Sequence, residues 1–379
     1  LKLAFFLFNY SPFGGLERNF MAITRACLAR GHEVNAFAMH WQGPKPDGLR
    51  VTLVPHKGLT NHRRCMSYVE GLKQMVTHSN TDLVVGFNRM PGLDLYYAAD
   101  VCYVVDVARR RGLLSRLTPR YRTYAAYEKA VFSPASRTEI LYLSEPQKQD
   151  YIEAYGTPET RFHYLPPGID KERIRSGLGP RTRDEVRREF RLEQDDRFLL
   201  MVGSDFRRKG VDRAIRALAS LPGELKRKTH LFILGEGKPR PFKKLSSRLG
   251  VDQRVRFLGG REDVTSFLAA ADMLLHLAAS ENTGNAIVEA LVAGTPVLAT
   301  ANCGYACHVK KAQAGMVVSG RPFRQEEMNE TLLAALTSRL MGQWRQNAWR
   351  YADHADLYSR PQVAVRVMEA LALFSRRRF

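Results

Sequence analysis

The chain has 379 residues, 45% hydrophobic and 25% charged, which excludes a disordered or fibrous protein and allows two domains with full cores. Its 58 Lys and Arg against 38 Asp and Glu leave a formal net charge of +20, which points to anionic partners: a nucleotide, a phosphorylated glycan, a membrane surface or nucleic acid. Five cysteines, an odd number with no C-x-x-C, suit a reducing compartment, and no apolar run reaches the roughly 18 residues of a membrane span.

Strand-like and helix-like periods alternate along the chain. The first half predicts strands at 1–8, 33–39, 51–55, 82–88 and 139–143, with helices near 16–30, 64–78 and 120–132. The first strand is too short for a signal peptide and lacks a small-residue cleavage site. Pro166-Pro167-Gly168 excludes both helix and sheet and is the best linker. The second half predicts strands at 198–203, 230–235, 254–258, 272–277, 296–300 and 315–318, alternating with helices, and a last helix at about 361–375. Repeated β–α units imply parallel sheets. The expected fold class is therefore α/β, with two doubly wound Rossmann-like domains facing a central cleft. The expected divisions are 1–165, 166–360 and a C-terminal helix at 361–379.

Ligands bind such sheets outside the carboxyl ends of the strands, and three segments follow strands. The most informative reads Glu281-Asn-Thr283-Gly284-Asn285-Ala-Ile-Val-Glu289. It leaves one strand and opens a helix that is apolar nearly all round and so should be buried, until Gly294-Thr295-Pro296 stops it. A carboxylate buried there needs a partner, and ligand hydroxyls would serve Glu289. Both acids could instead favour the helix N-terminal dipole, which suits Glu281 better than Glu289. In the second segment, Arg207-Arg208-Lys209-Gly210 sits at a turn that opens a helix. Guanidinium forks, an ammonium and free helix N–H groups suit phosphate oxygens, although a solvated basic loop reads the same way. The third places Gly14 and Gly15 at a helix start, where a ligand could approach the backbone. Two further features are weaker. Asp100 stands in the apolar context 96–103, as a functional acid or a cap, and His276 reads as a satisfied core histidine. Cys303, Cys307 and His308 hint at zinc but have no matching second pair.

Together these residues resemble the retaining GT-B glycosyltransferases of family four. Glu281 and Glu289 match the paired-glutamate motif of that family, Arg208-Lys209 its pyrophosphate clamp, and the glycine pair its acceptor-side loop. Segments 11–18, 86–94, 98–103, 165–169 and 352–359 narrow the resemblance to the lipopolysaccharide core glucosyltransferase I family, from end to end of the chain. The resemblance implies an acceptor-binding N-terminal domain, a nucleotide-sugar-binding C-terminal domain and a last helix that packs back on the first. It implies transfer of a hexose, glucose by default, from a UDP-sugar to a heptose of the lipopolysaccharide inner core, with the anomeric configuration retained. Arg208 and Lys209 would stabilise the leaving diphosphate, Glu289 would bind the ribose and Glu281 the sugar, with Thr283, Gly284 and Asn285 around the donor. Asp100 would orient hydroxyls, and Arg261 would lie beside the uracil unless it is a plain surface arginine. No D-x-D occurs, so no metal and no other cofactor is expected. Where the family carries an aspartate this chain has Asn19, which weakens a base role there.

Segment 103–132 holds Arg109, Arg110, Arg111, Arg116, Arg120, Arg122 and Lys129 against Asp106 and Glu128, interleaved with Tyr103, Tyr121, Tyr124, Tyr127 and Phe132. That mixture suits an anionic membrane interface, or a solvated helix face. The lipid-anchored acceptor implied by the resemblance favours a cytoplasmic monomer peripherally bound to the inner membrane. A nucleic-acid-binding protein fits the charge, but no helix-turn-helix, zinc module or aromatic RNA motif is present. An oxidoreductase would want G-x-G-x-x-G, and Gly235-Glu-Gly237 lacks the third glycine. A sugar-nucleotide epimerase, or a different donor such as UDP-N-acetylgalactosamine, remains an alternative.

Overall fold

The computed structural model describes residues 1–12, 14–76, 81–110, 113–176 and 183–376. The chain divides into two compact units, Leu1–Gly168 with Ser359–Phe379, and Ile169–Tyr358. The division falls at the Pro166-Pro167-Gly168 segment, where the rings and the glycine support no regular element.

The second unit is a six-stranded parallel sheet, in spatial order Val255–Gly259, Thr229–Leu234, Arg197–Val202, Met273–His276, Val297–Thr300, Gly315–Val318. The inner strands Arg197–Val202, Met273–His276 and Val297–Thr300 are apolar along most of their length because both faces are covered. Phe198, Leu200, Phe232, Leu234 and Leu274 enter one core, and Leu199, Met201, Leu231, Ile233 and Met273 enter the other. Each side chain so buried contributes about 1.5–3 kcal/mol, so the strand ends are held on a rigid base. The strand order reverses between Arg197–Val202 and Met273–His276, and the loops after these two strands begin side by side.

The first unit has a seven-stranded parallel sheet, ordered Leu49–Leu53, Glu33–Ala38, Lys2–Phe6, Leu83–Gly86, Leu95–Tyr97, Glu139–Tyr142, Phe162–Tyr164. Its order reverses between Lys2–Phe6 and Leu83–Gly86. The last helix, Arg360–Arg376, belongs to this unit: Ala364, Val365 and Met368 share a core with Leu3, Phe5 and Cys27, while Glu369 pairs with Arg30 and His32, both at 2.9 Å.

Several described elements lie outside the strands and helices expected from the sequence, Leu95–Tyr97, Tyr103–Arg110, Glu145–Tyr155 and the edge strand Phe162–Tyr164 among them. Leu95–Tyr97 is too short to show alternation. Tyr103–Arg110 and Glu145–Tyr155 are helices. The second buries Gln147 and Asp150 beside Tyr151, so its inner face is partly polar and apolar periodicity does not reveal it. Gln147 accepts the Cys102 N–H at 3.0 Å, and Asp150 receives both arms of Arg109 at 2.7 and 3.0 Å.

Candidate active site

At the reversal point of the second sheet, the loop after Arg197–Val202 brings Arg208 and Lys209 to Glu281, which stands in the loop after Met273–His276. Arg208 Nη1 lies 2.6 Å and Lys209 Nζ 2.7 Å from the same oxygen, Glu281 Oε2. Arg208 is also held by Asp205, at 3.4 Å, and donates to the Ser280 carbonyl at 3.3 Å. Burial alone would raise the Glu281 pKa. The charges of Lys209 and then Arg208 outweigh it and hold the carboxyl at about 2.

Hydrogen bonds tie the two loops to each other and to the segment that follows Val297–Thr300. The Ala279 N–H donates to the Arg208 carbonyl at 2.8 Å, the Asn302 amide to the Ala279 carbonyl at 2.5 Å, and the Tyr305 N–H to the Thr283 carbonyl at 2.9 Å. Gly210 makes the approach possible. Its φ is +75°, and a Cβ there would lie 2.1 Å from the Leu277 carbonyl oxygen.

Gly284, at φ 90°, starts the helix Asn285–Val292, and no side chain caps it. The first-turn N–H groups and the positive end of the dipole thus open a few residues after Glu281, an arrangement suited to an anion. Six of the eight helix residues are buried. Asn285 and Glu289, one turn apart, are the half-buried pair on its remaining face. Glu289 is therefore less enclosed than an apolar helix suggested, because the helix leaves this single stripe uncovered.

His276 corrects the sequence reading. It is buried, but its Nε2 has no hydrogen-bond partner, and a Cβ on Gly284 would lie 3.0 Å from it. Burial first, then the charge of Lys209, pushes its pKa down to about 3, so the imidazole is neutral at ordinary pH. Arg261 is engaged by its own loop. Both guanidinium arms meet Asp263 at 2.7 and 2.8 Å, and the group lies 4.8 Å over the Phe267 ring. It stands apart from the Glu281 cluster in its contacts. His308 Nδ1 meets the Tyr351 hydroxyl at 2.7 Å, and among the described residues no three His, Cys, Asp or Glu side chains gather as metal ligands.

In the first unit, Gly14 precedes the helix Gly15–Ala29 with ordinary extended angles, so no left-handed turn requires it. A Cβ on Gly14 would meet only the tip of the Glu17 side chain, which can swing aside, and one on Gly15 would meet nothing, so local packing demands glycine at neither position. Asp100 follows Leu95–Tyr97. Its carboxylate is half-exposed and 3.5 Å from Arg89 Nη2, and its carbonyl accepts the Tyr151 hydroxyl at 3.0 Å. Asn19 Oδ1 accepts from Arg360 Nη1 at 2.9 Å, so this amide partners a buried arginine of the last helix.

The basic segment 103–132 is reshaped by its contacts. Arg109 is committed to Asp150. Tyr124 packs against the Tyr103 ring, with centroids 5.7 Å apart, and is half-buried. Both contacts lie within the protein, and Arg109 keeps 38% of its side chain exposed. Tyr121 is likewise half-buried, 5.7 Å from the Tyr103 ring. Arg116, Arg120 and Arg122 are exposed, and Arg111 lies outside the described residues. Arg110 ends the helix Tyr103–Arg110. Beside the exposed arginines stand Leu114, 80% exposed, and Leu117, 64% exposed.

Residues 182–352 match the family described as "Glycosyl transferases group 1", and residues 13–173 match "Glycosyltransferase Family 4". The lipopolysaccharide glucosyltransferase WaaG of Escherichia coli strain K12 is 46% identical over 367 residues, 97% of this chain and 98% of that protein. The chain belongs to the lipopolysaccharide glucosyltransferase family. The crystal structure of WaaG superposes with a TM-score of 0.89, covering 96% of this chain and 99% of that one. Sucrose-phosphate synthase from Thermosynechococcus elongatus shares the fold at 18% identity and TM-score 0.76, over 99% of both chains. Anabaena HepE in complex with UDP-glucose does so at 18% identity and TM-score 0.71, over 98% of this chain and 99% of that one. The fold class is thus that of the GT-B enzymes, with two Rossmann-like domains, and the protein is a glycosyltransferase. Within this family member, sequence reasoning missed Arg89 and Glu128. Arg89 lies in segment 86–94, but its two carboxylate partners are 11 and 39 residues away.

Proposed function

We propose that this glycosyltransferase moves a hexose, glucose by default, from a UDP-sugar to a heptose of the lipopolysaccharide inner core, with retention and without a metal ion. The observation that carries the reading is the convergence of Arg208 and Lys209 on Glu281 at the strand-order reversal of the second unit. Negative charge grows on the leaving diphosphate in the transition state. Preorganised cations and helix N–H groups aimed at it lower the barrier, the part a divalent metal plays elsewhere. Glu281 keeps both cations at one point before the donor arrives, then meets hydroxyls of the transferred sugar. Asn285 and Glu289, on the open stripe of their helix, meet the donor, with Glu289 on the ribose. Thr283 and Gly284 line the same loop. Gly14 and Gly15 give the donor and acceptor close access to the backbone, and Arg261 reaches the uracil by exchanging its Asp263 contact. Asp100 orients acceptor or donor hydroxyls. The relatives support the reading: WaaG is named as a lipopolysaccharide glucosyltransferase, and the HepE structure holds UDP-glucose.

The deciding assay is UDP release from UDP-glucose with and without a heptose-terminated inner-core acceptor, in excess chelator. Release that requires acceptor and persists in chelator is the expected result. Release without acceptor would indicate a hydrolase, and conversion of the UDP-sugar to its epimer with no UDP released would indicate an epimerase. Activity lost in chelator and restored by magnesium or manganese would overturn metal independence.

We further propose reversible binding to an anionic membrane through Arg116, Arg120 and Arg122, with Leu114 and Leu117 entering the headgroup region. Among the described residues no helix is long and apolar enough to cross a membrane. Each exposed cation near such a surface is worth about 1 kcal/mol, falling off within a Debye length. Co-sedimentation with vesicles should therefore need anionic lipid, weaken with salt, and fall sharply in Arg116→Ser/Arg120→Ser/Arg122→Ser and in Leu114→Ser/Leu117→Ser. Equal binding to neutral vesicles, or no effect of either set, would place the contact elsewhere.

A further inference from the structure

One fully buried carboxylate takes no part in the chemistry above. Glu128 lies on the helix Pro119–Phe132 and is 0% exposed. Its oxygens accept the N–H groups of Tyr103 at 2.7 Å and Val104 at 3.1 Å, the Tyr155 hydroxyl at 2.8 Å, the Cys102 thiol at 3.7 Å, and Arg89 Nη1. A buried carboxylate is costly unless donors surround it, and a carboxylate needed only to start the helix Tyr103–Arg110 would be served by that helix's N–H groups. The arginine adds something else. Arg89 also donates from Nη1 to the Val101 carbonyl at 3.2 Å, and its Nη2 lies 3.5 Å from Asp100 Oδ2. The Arg89 side chain is 15% exposed and that of Asp100 is 52% exposed. A single guanidinium therefore spans from an acid sealed in the core to an acid open to solvent.

We propose that Glu128 is a positioning residue for transfer: it fixes the Arg89 guanidinium, and through it sets the place and direction of the Asp100 carboxylate. The planar fork is suited to this, because one arm held in the core dictates where the other points. Tyr151 secures the Asp100 backbone through its carbonyl, so the guanidinium is left to set the side chain. The proposal rests on the reading of Asp100 as an acid that touches substrate hydroxyls.

The test is a double-mutant cycle on turnover at saturating UDP-sugar and acceptor, with Asp100→Asn, Glu128→Gln and the double variant. Thermal melting and UDP affinity serve as controls of folding. Displacing a substrate-orienting group by about an ångström costs roughly a hundredfold, so Glu128→Gln should lower turnover by roughly 10- to 100-fold. Affinity for UDP itself should hold within about twofold, since the nucleotide contacts assigned to Glu289 and Lys209 are untouched, so the loss falls on turnover. In the Asp100→Asn background Glu128→Gln should cost nothing further. Should Glu128→Gln fail to fold, the same cycle with Arg89→Lys, which keeps the charge and loses the fork, replaces it with the same expectation. Full turnover in Glu128→Gln, or losses that simply add to those of Asp100→Asn, would overturn the proposal and leave Asp100 standing. Full turnover in Asp100→Asn would overturn both.

Discussion

Lys209→Ala should lower turnover by roughly 100- to 1000-fold, the range measured when one preorganised donor to a developing charge is removed. The reason lies in where the ammonium is held. Its Nζ is 2.7 Å from Glu281 Oε2, on a side chain that is 15% exposed, so its charge acts in a site partly screened from water. Because the diphosphate gains charge only as the bond to the sugar breaks, most of the loss should fall on kcat and less on UDP affinity. Glu289→Ala should show the opposite split, since ribose contacts exist equally in ground and transition states. Pre-steady-state turnover and UDP titration of the two variants check this. A Lys209→Ala enzyme whose loss lies wholly in UDP affinity would remove lysine from the transition state.

Glu281→Gln should abolish most transfer and also change how stability depends on pH. The folded carboxyl is held at about 2 against an ordinary value of 4.5. A depressed folded value stabilises the native state above the unfolded pKa and loses that contribution as pH falls through the folded one. The shift corresponds to about 3 kcal/mol, fully present above roughly pH 4.5 and lost progressively towards pH 2. Urea unfolding of the native protein and of Glu281→Gln, without nucleotide, should therefore differ most at pH 7. The gap should narrow at pH 4 and further at pH 3. A gap that stays constant across that range would mean the carboxylate is not held by Lys209 and Arg208 in solution.

The local signals in this chain are strong because they are local. A buried parallel strand must be apolar on both faces, so 198–203, 272–277 and 296–300 can be read directly, and the structure places strands at Arg197–Val202, Met273–His276 and Val297–Thr300. Two prolines and a glycine bar regular structure whatever surrounds them, which marks the division at Gly168. Arg208, Lys209 and Glu281 stand out because charged residues at turns after strands fall where parallel sheets bind ligands. Sequence could not show that the two cations share one oxygen, since that contact spans 72 and 73 residues.

The sequence by itself determined the class of fold and the family, because apolar period, turn residues and motif spacing act over a few residues. The tertiary structure alone decided which charges are engaged. Glu128 reads as one acid in a basic, solvated helix until Arg89 arrives from 39 residues away. Arg109 reads as a membrane contact until the partly polar helix Glu145–Tyr155 brings Asp150 to it. Asn19 reads as a lost acid until the last helix, 341 residues on, sets Arg360 against its amide. His276 reads as a satisfied histidine until the turn at Gly284 leaves its Nε2 without a partner. In each case the pattern along the chain is short-ranged, while the free energy of a charge or polar atom depends on what is packed against it, and only the folded chain sets that.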